Sequence, residues 1–281
     1  MRTPPRRASV GGAPVHQLRY GPCVSEGETV VLIGNLLVGA ICWALWYQRN
    51  LKVHALLARG GLRGLVLLTP VLCAVLLWWV LATQAASDVR DSTKYMFFYM
   101  VFGAAWLAVA VRGLSLLGLS VRDDVVERGN RAAAWAIAGA MVALMLCFAG
   151  GNIGEGPGWW VVWFAAALAT SALGLLWLLL VRLWPVADRI TIDRDVATGR
   201  RTGLLFVSLG LVLGRGVAGD WHSAGQTVVD FGVVAWPALV LVVVAGLAER
   251  RLPRAGALAW LLPGVMYLAG ATTTVVLNGR P

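Results

Sequence analysis

The chain has 281 residues, a formal net charge of +10, 59% hydrophobic and only 14% charged residues, and a mean hydropathy of +0.74. Water-soluble domains carry about 25% charged residues, so that class is excluded. The basic excess would point to nucleic acid in a soluble protein, but here the arginines stand in links between apolar runs, where they set orientation and meet anionic lipid; no nucleic-acid partner is expected.

Residues 1–28 carry Arg2, Arg6, Arg7 and Arg19 with several Gly and Pro, and read as a disordered tail. Polar residues, Glu26 and Glu28 among them, separate these arginines from the first apolar run, unlike a signal peptide, whose apolar region follows its charged start directly. Eight apolar runs follow: Val30–Trp46, Leu65–Leu81, Tyr95–Val111, Ala132–Ala149, Trp159–Leu180, Thr202–Gly219, Val228–Ala248 and Ala257–Val275. A bilayer core of about 30 Å takes about 20 helical residues per crossing. The runs are continuous rather than alternating, which selects helices over barrel strands. The expected fold is all-α, a polytopic bundle of about eight transmembrane helices. Residues 29–111 hold helices one to three, 112–180 the next two, 181–248 the following two, and 249–281 the last helix and a tail. The link Gln48–Gly64 mixes Leu51, Val53, Leu56 and Leu57 with basic residues and suits a segment lying flat on the membrane. Gly113–Leu119, after Arg112, suits the interface as well.

Basic residues mark one side. Links after odd-numbered helices carry Arg49, Lys52, Arg59, Arg63; Arg122, Arg128, Arg131; Arg182, Arg189, Arg194, Arg200, Arg201; and Arg250, Arg251, Arg254. Links after even-numbered helices have only Arg90 and Lys94, with Arg280 at the end. The positive-inside rule places the odd links in the cytoplasm and both termini outside; the arginines of the tail pull the other way. Trp159, Trp160, Trp184 and Trp221 stand at run edges, the headgroup level that Trp favours.

Two segments look alike when shifted by 70: Arg112 meets Arg182, Asp123 meets Asp193, Gly129 meets Gly199 and Arg131 meets Arg201. The matched order of link, helix, short link and helix suggests tandem parallel two-helix repeats. Within the first copy, Arg122–Asp123–Asp124 and then Glu127–Arg128–Gly129–Asn130–Arg131–Ala132–Ala133–Ala134 open a helix of small residues. This motif resembles the bacterial membrane family of domain of unknown function 350 (UPF0719 type), in which a Gly-Asn pair opens a two-helix unit. The second copy departs from it, with Arg200 in place of the Asn. The resemblance covers roughly Arg112–Leu252 and implies a multi-pass protein of the bacterial inner membrane with no assigned activity.

Few residues could carry chemistry. Arg215, near the outer end of helix six, and Asp230, near the start of helix seven, are expected at similar depth and are candidates for an ion pair, with Asp220 as the competing partner; the pair would either line a polar path or clamp two helices. Gly210 and Gly214 form G-x-x-x-G, which lets two backbones approach, within the chain or between two copies; the helix that starts at Ala132 and holds Gly139 is a candidate smooth partner. Asp123, Asp124, Asp193, Arg200 and Arg201 in the inner links are either solvated caps or a docking surface for a cytoplasmic protein or anionic lipid. Cys23, Cys42, Cys73 and Cys147 lack C-x-x-C spacing, and His16, His54 and His222 are scattered, so neither disulfide nor metal is expected. No cofactor or catalytic motif is present. Two function classes stay open, a small-ion or small-solute permease and a non-catalytic scaffold or envelope-stress component; neither is an enzyme.

Overall fold

A computed structural model describes residues 25–51, 62–252 and 256–279. The described chain is all helical, and eight helices are long and apolar enough to cross a membrane. They are α1 (Glu26–Leu51), α2 (Arg63–Thr83), α4 (Thr93–Leu116), α5 (Arg131–Gly150), α6 (Trp159–Leu183), α8 (Val196–Val217), the pair α9 (Ala224–Ala235) and α10 (Pro237–Glu249), and α11 (Leu258–Leu277). Short helices α3 (Ser87–Arg90) and α7 (Val186–Thr191), and a π-helical turn over Val121–Glu127, fill the links. Large apolar side chains such as Leu68, Val71, Leu72 and Val75 of α2 stay exposed along the outside, a surface that suits lipid rather than water.

Local chemistry sets the helix ends. Ser25 and Glu28 form a reciprocal capping box, Glu28 N–H to Ser25 Oγ at 3.2 Å and Ser25 N–H to Glu28 Oε2 at 2.8 Å. The first helix therefore begins at Glu26, inside the stretch read as tail. Asp195 caps α8 through Ala197 N–H at 3.0 Å, so that helix begins six residues before its apolar run, at Val196 rather than Thr202. The seventh run is two helices, because Pro237 has no N–H to continue the ladder of α9. Helix α4 runs straight through Arg112 to Leu116, and Arg112 donates to the Cys42 carbonyl of α1 at 2.9 Å; Gly113–Leu116 is thus the helix's last turn rather than an interfacial strip. Most of the link expected to lie flat, 52–61, is outside the described residues, as are the basic residues of the tail.

The bundle is organised around α5 and α8. In their apolar cores 83% and 72% of the residues are buried, against 11% in α1 and 22% in α11. The two run parallel and touch backbone to backbone from end to end. A Cβ placed on Gly199 would lie 2.3 Å from the Ala132 carbonyl oxygen, on Gly139 2.2 Å from that of Gly203, on Gly210 2.6 Å from Ala143 Cα, and on Gly214 2.6 Å from the Leu146 carbonyl oxygen. Gly210 and Gly214 are therefore filled by α5 of the same chain and are not open to a second copy. Helix α2 packs beside α5, α11 beside α8, and α6 against both.

Equivalent features of the two central segments stand 65 residues apart rather than 70. The helices start at Arg131 and Val196, 65 apart. Gly129 (φ 60°) and Arg194 (φ 55°) both adopt left-handed backbone just before the caps Asn130 and Asp195. Gly154 (φ 106°) and Gly219 (φ 142°) follow the same spacing at the other end. A shift of 70 pairs link charges that differ in position, and the counterpart of Asn130 is Asp195, not Arg200.

Replacing Gly203 or Gly214 by Leu is expected to exceed the ~1–3 kcal/mol of ordinary overpacking, since the obstacle is backbone and not a rotamer. Gly174→Leu, where a Cβ would meet nothing within 4 Å, should be silent. Size-exclusion chromatography of heated detergent extracts checks both: the first two variants lose their monodisperse peak, and the third melts like wild type.

Candidate functional site

The even-numbered links, at one end of the bundle, enclose a cavity of about 560 Å³. Its walls come from α3 and α4 (Asp88, Val89, Tyr99), the α5–α6 link (Gly151–Gly156 and Gly158), the start of α6 (Val162, Ala165), the end of α8 (Gly216, Val217), the α8–α9 link (Gly219, Asp220, Trp221) and α9 (Thr227, Asp230). The two glycine-rich links are tied together by Gly219 N–H to the Ile153 carbonyl, Trp221 N–H to the Glu155 carbonyl and Glu155 N–H to Asp220 Oδ1, each 2.8 Å. Gly154 has to be glycine twice over: its φ is positive, and a Cβ there would lie 2.3 Å from the Gly219 backbone. On the floor, Asn152 is 5% exposed, donates Nδ2–H to the Phe148 carbonyl at 2.8 Å, and leaves its buried Oδ1 with no partner.

The Arg215–Asp230 pair does not form. Arg215 points to the end of α11, donating to the carbonyls of Asn278 at 2.8 Å and Gly279 at 3.2 Å, and to its own Ala218 at 3.2 Å. Those carbonyls have no partner further along their helices and carry the negative end of the dipole, so a guanidinium satisfies them well. Asp230 accepts from Gln226 Nε2 at 2.7 Å, one turn back on α9. Asp220 serves the Glu155 amide, not Arg215. Asp220 and Asp230 do share the cavity wall.

At the opposite end the link after the fifth span meets α8, α10 and the start of α11 around a buried charge cluster. Arg201 is only 1% exposed; its Nε and Nη2 grip the two carboxylate oxygens of Glu249 at 2.6 and 2.8 Å, and Nη1 donates to the Ala259 carbonyl at 2.7 Å. Arg189 Nη1 reaches Glu249 Oε2 at 3.1 Å, and Thr198 Oγ1 accepts from Arg201 at 2.8 Å. Each charge of the central pair stands at the helix end that its sign disfavours, Arg201 in the second turn of α8 and Glu249 at the last residue of α10. The pair compensates both. It locks α8, α10 and the start of α11 together, and Tyr267 closes its apolar side, with Leu205 and Ala245, around a cavity of about 10 Å³.

The inner-link charges thus divide. Arg201 and Asp124 are buried, which removes them from any docking surface. Arg200 is half-buried between Trp135 and Trp260, with centroid distances of 5.5 and 4.8 Å. Asp123 and Asp193 are exposed, and Asp123 accepts from the Ser120 hydroxyl at 2.7 Å. In the family-like motif, Gly129 supplies the left-handed turn. Asn130 caps α5 through the amides of Ala132 and Ala133 at 2.9 and 3.2 Å, and donates Nδ2–H to the Ile190 carbonyl of α7 at 2.7 Å. Arg131 is exposed at the helix start. The motif's work here is structural, a cap that also clamps the next link. Glu249 and Asn152 escape sequence reasoning. A lone acid before Arg250, Arg251 and Arg254 is the one signal that could have drawn attention to the first. The second is an ordinary polar residue in a glycine-rich link.

Among the described residues no group of three His, Cys, Asp or Glu side chains converges to hold a metal ion. Comparison of the chain with protein-family models, with curated proteins and with solved structures gives no match.

Arg201→Leu or Glu249→Leu alone should cost about 3–5 kcal/mol, since each strands a buried charge. The double replacement should recover part of that loss, and unfolding in micelles would read the non-additivity; strictly additive losses would mean that the two charges do not act on each other. At Asp124 burial pushes the carboxyl above the usual carboxylate range, outweighing the bond from Ser120 and the charge of Arg128. A folded-state value above the unfolded one makes stability fullest while the group is protonated, and lost as pH rises through the folded value. Asp124→Asn should flatten that slope in melting curves taken upward from the ordinary carboxylate pKa.

Proposed function

We propose that this chain is a multi-pass permease of the bacterial inner membrane rather than an enzyme, admitting a small solute through the cavity beside Asp230, with its basic end in the cytoplasm. The cavity and its relation to a broken span carry the reading. Helices α9 and α10 share one crossing interrupted at Trp236–Pro237, and discontinuous spans are where transporters place their binding sites. The cavity lies against α6, α8 and α9, and the Arg201–Glu249 cluster lies between α6, α8 and α10 at the other end of the same seam. A solute entering beside Asp230 would have the break next on its route and the charge cluster as the last barrier.

The orientation is supported by the arginine-rich odd links. The resemblance of Gly129–Asn130–Arg131 to the domain of unknown function 350 agrees with an inner-membrane setting. A cytoplasmic docking role has less to stand on, because Arg201 and Asp124 are consumed inside the protein.

The test is flux. Proteoliposomes challenged with glycerol or methylammonium chloride gradients in stopped-flow light scattering should re-swell faster than protein-free vesicles. Thr227→Trp, which fills the cavity from α9, should slow the rate about tenfold, the effect of ~1.4 kcal/mol added to a barrier, while eluting as wild type. Rates equal to those of empty vesicles for both solutes would end the permease reading.

A further inference from the structure

We propose that Arg200 holds the phosphate of an anionic phospholipid at the arginine-rich end of the bundle, with one acyl chain lying along the outer face of the α5–α8 pair. The inference is independent of any flux. Arg122, Arg128, Arg189 and Arg201 each meet a carboxylate. Arg200 makes neither an ion pair nor a hydrogen bond within the described residues; its contacts are the ring faces of Trp135 and Trp260, 5.5 and 4.8 Å from its central carbon. Its Nε is buried, whereas Nη1 and Nη2, equally unbonded, keep accessible surface. The two rings thus hold the guanidinium in place and leave its Nη1–Nη2 edge open. Parallel N–H donors in one plane are the arrangement that takes two oxygens of a phosphate at once.

Helix register sets the depth. Arg200 and Trp135 each stand four residues beyond the first residue of α8 and of α5, about 6 Å along the axis. Trp260 stands two residues beyond the first of α11. Three helices therefore bring an arginine between two tryptophans at the level where Trp meets headgroups. From Arg200 inward, the partly exposed residues of α8 are Leu204, Val207 and Leu211, on the helix face of Arg200; those of α5 are Val142 and Leu146, on the face of Trp135. All five are apolar. From Arg200 to Leu211 the helix rises about 16 Å, the depth of one leaflet of a roughly 30 Å core.

This strip decides between a lipid and a free phosphate. A soluble anion would use the guanidinium edge alone, whereas a phospholipid also covers the apolar faces beneath it. Basic sites between helices at the cytoplasmic side are where lipid headgroups are held. The headgroup's own charge decides among lipids. Phosphatidylglycerol leaves its phosphate charge for Arg200 to answer, while phosphatidylcholine brings a compensating cation of its own.

The test is native mass spectrometry of the full chain in detergent micelles, titrated with dioleoyl phosphatidylglycerol or dioleoyl phosphatidylcholine. The first phosphatidylglycerol should bind about tenfold tighter than the first phosphatidylcholine. Arg200→Gln should bring that ratio to about one, and Arg122→Gln, which removes an exposed arginine from the same end, should leave it unchanged. Arg200→Lys keeps the charge between the rings and covers for a Gln variant that fails to elute as a monodisperse peak. Without the planar fork it should keep less than about half of the preference. Equal affinity of the wild-type chain for the two lipids, equal losses in Arg200→Gln and Arg122→Gln, or an undiminished ratio in Arg200→Lys would overturn the site. Displacement of phosphatidylglycerol by an equimolar amount of glycerol 3-phosphate would make phosphate alone the ligand and overturn the lipid assignment.

Discussion

The contact between the α5 and α8 backbones is the constraint from which the remaining packing follows. Inside lipid there is no hydrophobic gain in bringing two apolar helices together, so association rests on dispersion and on weak Cα–H···O contacts that need close approach. Gly199, Gly203, Gly210 and Gly214 on one helix and Ala132, Gly139, Ala143 and Gly150 on the other remove the side chains that would hold the axes apart. The same closeness leaves no room for a pore between them.

Parallel alignment has an electrostatic consequence. Both helices begin at the arginine-rich end, so two positive dipole ends lie side by side with the link charges. Asn130 and Asp195 answer this locally, each accepting amide hydrogens at its own helix start, and Asp195 adds a negative charge where one is most useful. The cluster of Arg189, Arg201 and Glu249 then binds the next crossing to the pair. Its ion pair has nearly every polar atom engaged, which is the condition under which buried charge is tolerated.

The number of helices and the approximate place of each could be read from run length, because a lipid core imposes a fixed crossing length. Their ends could be read where the cap is local, as at Ser25–Glu28. Pairings across long sequence distance could not. Arg215 and Asp230 are close in sequence and similar in depth, yet the C-terminal carbonyls of α11, sixty-odd residues away, hold the arginine instead. Glu249 stands in a basic link, and nothing local shows that Arg201 lies against it. The spacing of 65 was hidden because the equivalent positions hold different residues doing the same work: Gly129 and Arg194 both take positive φ, and Asn130 and Asp195 both cap.

The two polar ends differ in how their charges are held. At the arginine-rich end Arg189, Arg201 and Glu249 are paired and largely buried among α7, α8 and α10, while Arg122, Arg128 and Arg131 stay exposed. At the other end four carboxylates are exposed around the cavity, and the α5–α6 and α8–α9 links are tied by two backbone bonds and by Glu155 N–H to the Asp220 carboxylate. Between these ends α9 and α10 are separate rods. Pro237 removes the hydrogen bond that would stiffen their junction, and α9 has one buried residue, Ala235, next to that junction. Its attachment to the core is therefore concentrated at the break, where Gly216 admits Phe231 and Ala235. Asp230 and Thr227 line the cavity from α9, outside both the α5–α8 pair and the Arg201–Glu249 lock.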